Sequence, residues 1–533
     1  MDRLPAPGPS PPHTLGDLTP EPNKATRAAG WLRRLAGAGL PGLVTGVVVA
    51  ISVPPAGFWP LGIVGLAGLA WHLDRRGARG RAAAGFAFGL GLFGVTIAWV
   101  VDFQAFGYVA LLLLESSFFA AAGLATAAAA RAGAPGRMAA FTGALTLAEG
   151  LRSKVPWGGF PMGGIPLGQV GGPLVPVARV GGFLALTAAT ASLAAVLAEL
   201  ARWGLPPARS RRAAIILAVA GVAPAVVVAA LGTASPDGHI VGRLAVAAVQ
   251  GGGPRGLRGI EADTAVVTQR QVDTTGLIVG QPAVILWPED VVQMDRPVVE
   301  TALGAELGDI AGQRRATLLV GVVEDAGADR FRNAIVAWGP AGQVIGRYDK
   351  VHRVPFGEYA PGRDLVAKVA SLRLLPRDAI AGRGPGILRT PAADLGVVVS
   401  FEVFFGDRAR AATRVGAQVL MVPTNAASYR TAQVPDQEVA AARLRAWETG
   451  RDVVQAAPTG FSALIGPRGR VAGRSHLGRR QVVEGAVALR SGRTPYVRWG
   501  DGPWWAVAAL LVVAPMGRRR HGRGDPGHPS HPT

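Results

Sequence analysis

Three polar residues stand at the ends of apolar, β-rich runs in the second half of the chain. Glu289 closes Val284-Ile-Leu-Trp-Pro, Lys350 closes Val344-Ile-Gly-Arg-Tyr-Asp, and Ser400 closes Leu395-Gly-Val-Val-Val. A carboxylate can act as a general base, a lysine can stabilise a developing oxyanion, and a small nucleophile beside both completes an acyl-transfer site. The run Leu395–Glu402 reads as a strand buried on both faces that stops at Ser400, where parallel-sheet enzymes present reactive groups. Any one of these residues alone also fits a solvated strand end, so their joint occurrence carries the argument. A thiol would suit position 400 better than a hydroxyl, and the chain contains no cysteine.

These residues need a scaffold that brings distant strand ends together. From residue 242 onward short β-rich runs recur: Leu244–Gln250, Ala283–Pro288, Thr317–Glu324, Asn333–Trp338, Val344–Tyr348, Leu395–Phe401, Gln418–Pro423, Val453–Ala457, Ser462–Gly466 and Val482–Leu489. Helix-like segments separate several of them, at Ile260–Ile278, Val298–Gln313, Asp407–Val415 and Asp436–Thr449. Strands alternating with helices indicate an α/β fold, and about 260 residues suffice for one domain.

The first half has a different texture. Hydrophobic residues make up 49% of the 533 residues while aromatics supply only 6%. Apolar stretches near 36–53, 57–74, 83–101, 107–130, 138–152, 176–200, 213–232 and 503–516 suggest membrane spans, although several fall short of the roughly 20 residues a span needs. The net charge of +20 could point to nucleic acid, but its distribution argues otherwise. Lys24, Arg33, Arg34, Arg75, Arg76, Arg79, Arg81, Arg131, Arg137, Arg202, Arg209, Arg211, Arg212 and Arg518–Arg520 with Arg523 all fall on one side if seven spans precede the α/β region and one follows it. The opposite loops, 54–60 and 102–107, are almost free of Lys and Arg. This is the positive-inside pattern, with both termini cytoplasmic. The expected layout is a disordered tail at 1–30, a seven-helix membrane domain at 31–232, an extracytoplasmic domain at 233–502, a last membrane helix at 503–516 and a basic tail at 517–533. The outer loop from Glu149 to Met162 carries Trp157 and Phe160, which fit either an interfacial aromatic anchor or the lining of a lipid-access groove.

Four motifs give a resemblance: Trp287-Pro-Glu289, the run from Tyr348 to Tyr359 (YDKVHRVPFGEY), Ser400-Phe-Glu402 and Val422-Pro-Thr-Asn425. Together they resemble the carbon–nitrogen hydrolase, or nitrilase, superfamily. With helices before and after, residues 30–516 resemble the apolipoprotein N-acyltransferase family in its actinobacterial form. The resemblance implies a membrane helical bundle carrying an extracytoplasmic α/β/β/α sandwich. It implies ping-pong transfer of an acyl chain from a phospholipid to the α-amino group of a diacylglyceryl-modified apolipoprotein, without a cofactor. By position, Glu289 matches the general base and Lys350 the oxyanion-stabilising lysine. Ser400 occupies the place of the nucleophilic cysteine, and Glu358 matches a further active-site glutamate. Phe401 stands where a tyrosine is common, Glu402 matches the acidic residue after it, and Asn333, Asn425 and Arg445 fall in flanking motifs.

Serine at 400 leaves three readings open: an N-acyltransferase using Ser400, a binding protein of the same fold without turnover, and an amidase-type hydrolase, which a membrane bundle disfavours. Glutamate, with a reference pKa near 4.3, is a poor base for a hydroxyl unless burial raises it. His352, two residues beyond Lys350, is a candidate substitute base, although a histidine is ordinary at that place in the motif. His521, His528 and His531 sit in a Pro/Gly tail without carboxylate or thiol companions, so no metal site is expected.

Overall fold

The computed structural model describes residues 37, 39–103, 105–203, 208–368 and 375–517. The tail at 1–30 and the basic tail beyond Gly517, with Lys24, Arg33, Arg34 and the C-terminal histidines, lie outside the described residues.

Eight helices lie over the eight apolar stretches: Gly39–Ala50, Pro60–Leu73, Ala78–Thr96, Ala105–Thr126, Ala134–Arg152, Ala178–Trp203, Ala208–Ala234 and Gly502–Gly517. Among the described residues, the segments Ala105–Ala129 and Val175–Arg202 are long and apolar enough to cross a membrane. The helices approach closely where side chains are smallest. A Cβ on Gly85 would lie 2.1 Å from the Phe119 carbonyl oxygen, so only glycine permits that crossing. The end of the bundle that carries the loop arginines is tied by a charge cluster. Asp74 meets Arg202 at 2.8 Å, Arg137 at 3.1 Å and Arg81 at 3.4 Å, and Glu199 meets Arg202 at 2.7 Å and Arg137 at 2.8 Å. Glu149 belongs to a helix that runs on to Arg152, so the aromatic loop begins four residues later than the sequence suggests. The delay has a cause: buried Arg152 pairs with Glu115 at 2.5 Å and Glu149 at 3.0 Å, and both partners are helical.

The α/β region is a sandwich of two sheets. One sheet runs, in hydrogen-bonded order, Gln481–Ser491, His239–Gln250, Val284–Leu286, Thr317–Asp325, Arg330–Trp338 and Val344–Asp349; Val292–Met294 and Asp378–Ala379 pair off this path. The second runs Val471–Arg474, Ala463–Ile465, Val453–Ala456, Val419–Pro423, Asp394–Val397 and Ile387–Arg389. Leu286, Leu319 and Ile335 of the first pack against Val397, Met421 and Val454 of the second between the sheets. Helices Thr264–Thr275 and Ala302–Arg314 cover the outer face of the first sheet, and Gly406–Arg414 and Gln433–Thr449 that of the second. The layers are therefore α/β/β/α. The core beneath the second pair of helices is continuous with the bundle core.

Local chemistry explains the boundaries that differ from the sequence expectation. The helix expected at Ile260–Ile278 is shortened to Thr264–Thr275, because Asp263 caps its start by accepting from Ala265 N at 2.8 Å. The strand expected at Leu395–Phe401 ends at Val397, and Ser400 opens a 3₁₀ turn, Ser400–Phe404.

The two parts are pinned through the helix Gln433–Thr449. Gln437 accepts from Gly163 N at 3.1 Å and donates to Thr96 O at 2.9 Å. The fully buried Arg179 guanidinium donates to Trp447 O at 3.2 Å and Pro467 O at 2.7 Å, and pairs with Asp237.

Candidate active site

Lys350 follows directly on its edge strand, and only 2% of its surface is exposed. Its ammonium lies 2.8 Å from Glu289 Oε1 and 2.9 Å from Glu358 Oε1. Burial disfavours the ammonium, but the two carboxylates outweigh burial and hold the Lys350 pKa above its ordinary value. Lys350 is therefore a fixed cation. Asn333, on the neighbouring strand, donates through Nδ2 to the same two oxygens, at 2.9 Å to Glu289 and 2.8 Å to Glu358. Glu358 Oε2 accepts from Val354 N at 2.7 Å, which closes its loop. Both donors to Glu289 converge on Oε1, leaving Oε2 without a hydrogen bond among the described residues. Gly321 makes room for the backbone that carries this carboxylate, since a Cβ there would lie 2.1 Å from Pro288 O and 2.5 Å from Glu289 Cα.

Ser400 sits at φ +47°, in the left-handed region that L-residues with a Cβ occupy at a cost of about 1–2 kcal/mol. Such a sharp turn at a strand end projects a side chain from the sheet. Glu402, fully buried, holds the turn in place. Its Oε2 accepts from Val399 N at 2.8 Å, just before Ser400. Its Oε1 accepts from Val351 N at 2.8 Å and His352 N at 3.0 Å, just after Lys350. The Tyr348 hydroxyl lies 3.0 Å from both oxygens. One carboxylate thus clamps the Ser400 turn to the lysine loop. Burial, with the Glu402 charge, pushes Tyr348 above the ordinary phenol range and keeps it a donor.

The Ser400 hydroxyl is paired at 3.3 Å with Thr424 Oγ1, and Thr424 donates to Glu438. Glu438 is 2% exposed, its Oε2 is unpartnered, and burial pushes its carboxyl up to about 8. His352 stacks on Phe405 at 4.2 Å with its Nε2 3.6 Å from Asp407, so it is committed elsewhere.

The aromatic loop reaches this region. Phe160 packs 6.0 Å from Phe401, which also contacts Phe405 at 5.0 Å. Trp157, 52% exposed, meets Phe356 edge-on at 5.4 Å, and its carbonyl accepts from Tyr359 at 3.1 Å. Trp99 and Phe103 extend the apolar wall through Tyr429, at 5.0 and 5.6 Å.

The structure thus brings Glu289, Lys350, Glu358 and Asn333 together and clasps Ser400 to them through Glu402. It does not bring Asn425 or Arg445 into that cluster. Asn425 Oδ1 accepts from Ala427 N at 3.0 Å within its own turn. Arg445 bonds Glu448 at 3.0 Å and lines a small cavity with Glu149, Pro161, Phe183 and Phe404, between bundle and sandwich. Sequence reasoning missed Thr424, Glu438 and Tyr429. Thr424 lay within the quoted motif, beside the residue chosen from it; Glu438 carries no local signal.

A sequence profile described as the apolipoprotein N-acyltransferase N-terminal domain matches residues 45–196, and one for carbon-nitrogen hydrolases matches residues 236–494. The apolipoprotein N-acyltransferase of Mycolicibacterium smegmatis is 30% identical over 557 aligned residues, spanning 96% of this chain and 91% of that protein. The chain belongs to the apolipoprotein N-acyltransferase family. The family member from Azotobacter vinelandii is 31% identical, spanning 93% of this chain and 98% of its own. A solved amidase from Nesterenkonia sp. is 20% identical, with a TM-score of 0.35, and covers 49% of this chain and 94% of its own. The interval between the two family profiles contains the helix Ala208–Ala234, which joins bundle to sandwich.

Proposed function

We propose that this chain moves an acyl chain from a membrane phospholipid, through an acyl-enzyme on Ser400, to the α-amino group of a diacylglyceryl-modified apolipoprotein. The observation that carries this reading is the Glu402 clamp, which ties the Ser400 turn to the loop of a buried lysine shared by two glutamates. Ser400 Oγ attacks the ester carbonyl, and the Lys350 ammonium stabilises the oxyanion that forms. Collapse releases the lysophospholipid as its alcohol. The amine of the acceptor then attacks the acyl-Ser400 ester, with Glu289 Oε2 free to take its proton; the C–O bond to Ser400 breaks and Ser400 Oγ recovers a proton, which frees the N-acylated lipoprotein. Phe160, Phe401 and Trp157 are apolar surfaces for the chain in transit. The thiol is the better acyl carrier, so a serine at 400 also favours a second reading, a homologue that binds lipid or lipoprotein without turnover.

On the same reading the chain crosses the membrane eight times, with the sandwich outside and both termini in the cytoplasm. Two features support this. Outward-facing helix residues such as Phe106, Val109, Ile215, Ile216, Leu510 and Val513 are apolar and exposed, as lipid contact requires. Arg81, Arg137 and Arg202, from the ends of three different helices, converge on Asp74.

The test is complementation in cells depleted of their own acyltransferase, with lipoprotein N-termini read by mass spectrometry for wild type, Ser400→Ala and Ser400→Cys. N-acylated lipoprotein from wild type and none from Ser400→Ala is expected. Activity only in Ser400→Cys favours the binding reading.

A further inference from the structure

A serine nucleophile needs a base, and neither of the obvious ones is engaged with it. Glu289 presents Oε1 to Lys350 and Asn333, and no hydrogen bond joins it to Ser400 among the described residues. His352 is stacked on Phe405. The groups that do reach Ser400 come from the opposite side, along the second sheet. Thr424 follows directly on the strand Val419–Pro423, which pairs in parallel with the strand leading to Ser400. Glu438 projects from the helix Gln433–Thr449 that covers this sheet. Thr424 Oγ1 stands between them, 3.3 Å from Ser400 Oγ and hydrogen-bonded to Glu438 Oε1. All three are buried. The second Glu438 oxygen is buried without a partner, which is costly for a group with only a structural role.

We propose that Thr424 and Glu438 form a proton relay that activates the Ser400 hydroxyl in this chain. The inference rests on the reading of Ser400 as the nucleophile. In molecules whose Glu438 is ionised, a fraction that grows as the pH rises toward about 8, Ser400 Oγ bonds to the ester carbonyl carbon as its proton passes to Thr424 Oγ1 and the Thr424 proton passes to Glu438 Oε1. The carbonyl π electrons move to the oxyanion. When the tetrahedral adduct collapses, the C–O bond to the glycerol breaks. The leaving alkoxide takes a proton back along the same path, and Glu438 returns to its anion. No net charge or redox change results. Thr424 touches the reacting atom. Glu438 acts through it, and its burial matches the basicity of the carboxylate to a hydroxyl better than an exposed glutamate would. A thiol at position 400 would need this relay far less, because a few per cent of it is ionised near neutrality.

The test measures acyl-enzyme formation by purified full-length protein in detergent micelles containing a diacyl phospholipid with one fluorescent acyl chain. Wild type, Thr424→Val, Thr424→Ser and Glu438→Gln are compared, each also in a Ser400→Cys background, with Ser400→Ala as blank. Thr424→Val and Glu438→Gln are expected to slow acylation of Ser400 by about 10²-fold or more. Thr424→Ser is expected to stay within about threefold. In the Cys background the same substitutions are expected to cost less than tenfold. Acylation at the wild-type rate in Thr424→Val or Glu438→Gln overturns the relay while leaving Ser400 as nucleophile. Equal losses in both backgrounds overturn it too, by assigning the pair a structural role. A wild type indistinguishable from Ser400→Ala removes the nucleophile and the relay together.

Discussion

Replacing Glu402 by glutamine keeps its size and removes one acceptor and the charge. The carboxylate receives three backbone N–H groups, with Val351 and His352 on one oxygen and Val399 on the other, plus the Tyr348 hydroxyl. An amide offers one oxygen only. In its better orientation it keeps Val351 and His352 and turns its NH₂ toward the N–H of Val399. One buried donor is then stranded, at about 1–3 kcal/mol, and the remaining bonds lose their charge assistance, at about 1 kcal/mol each. The gross loss is roughly 3–6 kcal/mol, offset in part because a neutral amide is easier to bury than an anion. A net destabilisation of about 2–4 kcal/mol remains. At roughly 2–4 °C per kcal/mol for a domain of this size, thermal unfolding in detergent should begin about 5–15 °C earlier. Acyl transfer should fall by about 10²-fold, the scale expected when reacting groups move apart by an ångström. Tyr348→Phe removes one donor and leaves the backbone clamp, so its losses should be much smaller. Glu402→Gln with wild-type melting and wild-type turnover would refute the clamp.

Removing the lysine should reveal its two partners. Lys350→Met leaves Glu289 and Glu358 sharing only Asn333, at a cost of about 3–5 kcal/mol, and Glu358→Gln in the same chain should recover at least about 1 kcal/mol of it; additive losses in a double-mutant cycle would contradict the shared site. Glu438 gives a pH signature with a fixed sign. Burial raises its folded-state pKa from 4.5 to about 8, so between those values the unfolded chain ionises while the folded chain stays protonated, and stability falls as pH rises. Glu438→Gln should therefore match wild type below about pH 4.5 and exceed it by up to a few kcal/mol above pH 8, read by thermal unfolding across that range; an equal stability difference at both ends would show that Glu438 does not titrate in that window.

Much of this arrangement is legible in the chain. Apolar runs of two lengths, with arginines sorted into alternate loops, separate a helical bundle from an α/β region. Glu289, Lys350 and Glu358 lie at or just beyond strand ends, in motifs that local patterning exposes. What escaped the sequence are the partners that only the fold brings close. Glu402 is two residues from Ser400, yet its function lies in accepting N–H groups some fifty residues upstream, at 351 and 352. Glu438 looks like one more charge on a polar helical turn, because nothing local shows that this turn faces a sheet and not water. Short strands such as Asp378–Ala379 and Ile387–Arg389 have no apolar run to announce them and exist because neighbouring strands offer them partners. Arg445 lies in a flanking motif, and only the fold shows that its helix turns it toward the bundle.

The most direct test of the account is peptide mass spectrometry of the purified protein after incubation with phospholipid alone. The expected result is one acyl adduct on the peptide containing Ser400. It should resist neutral hydroxylamine, as an oxyester does, and disappear when a diacylglyceryl-cysteine peptide is added. No adduct on the wild type, with a hydroxylamine-labile adduct on Ser400→Cys, would contradict Ser400 as the acyl carrier.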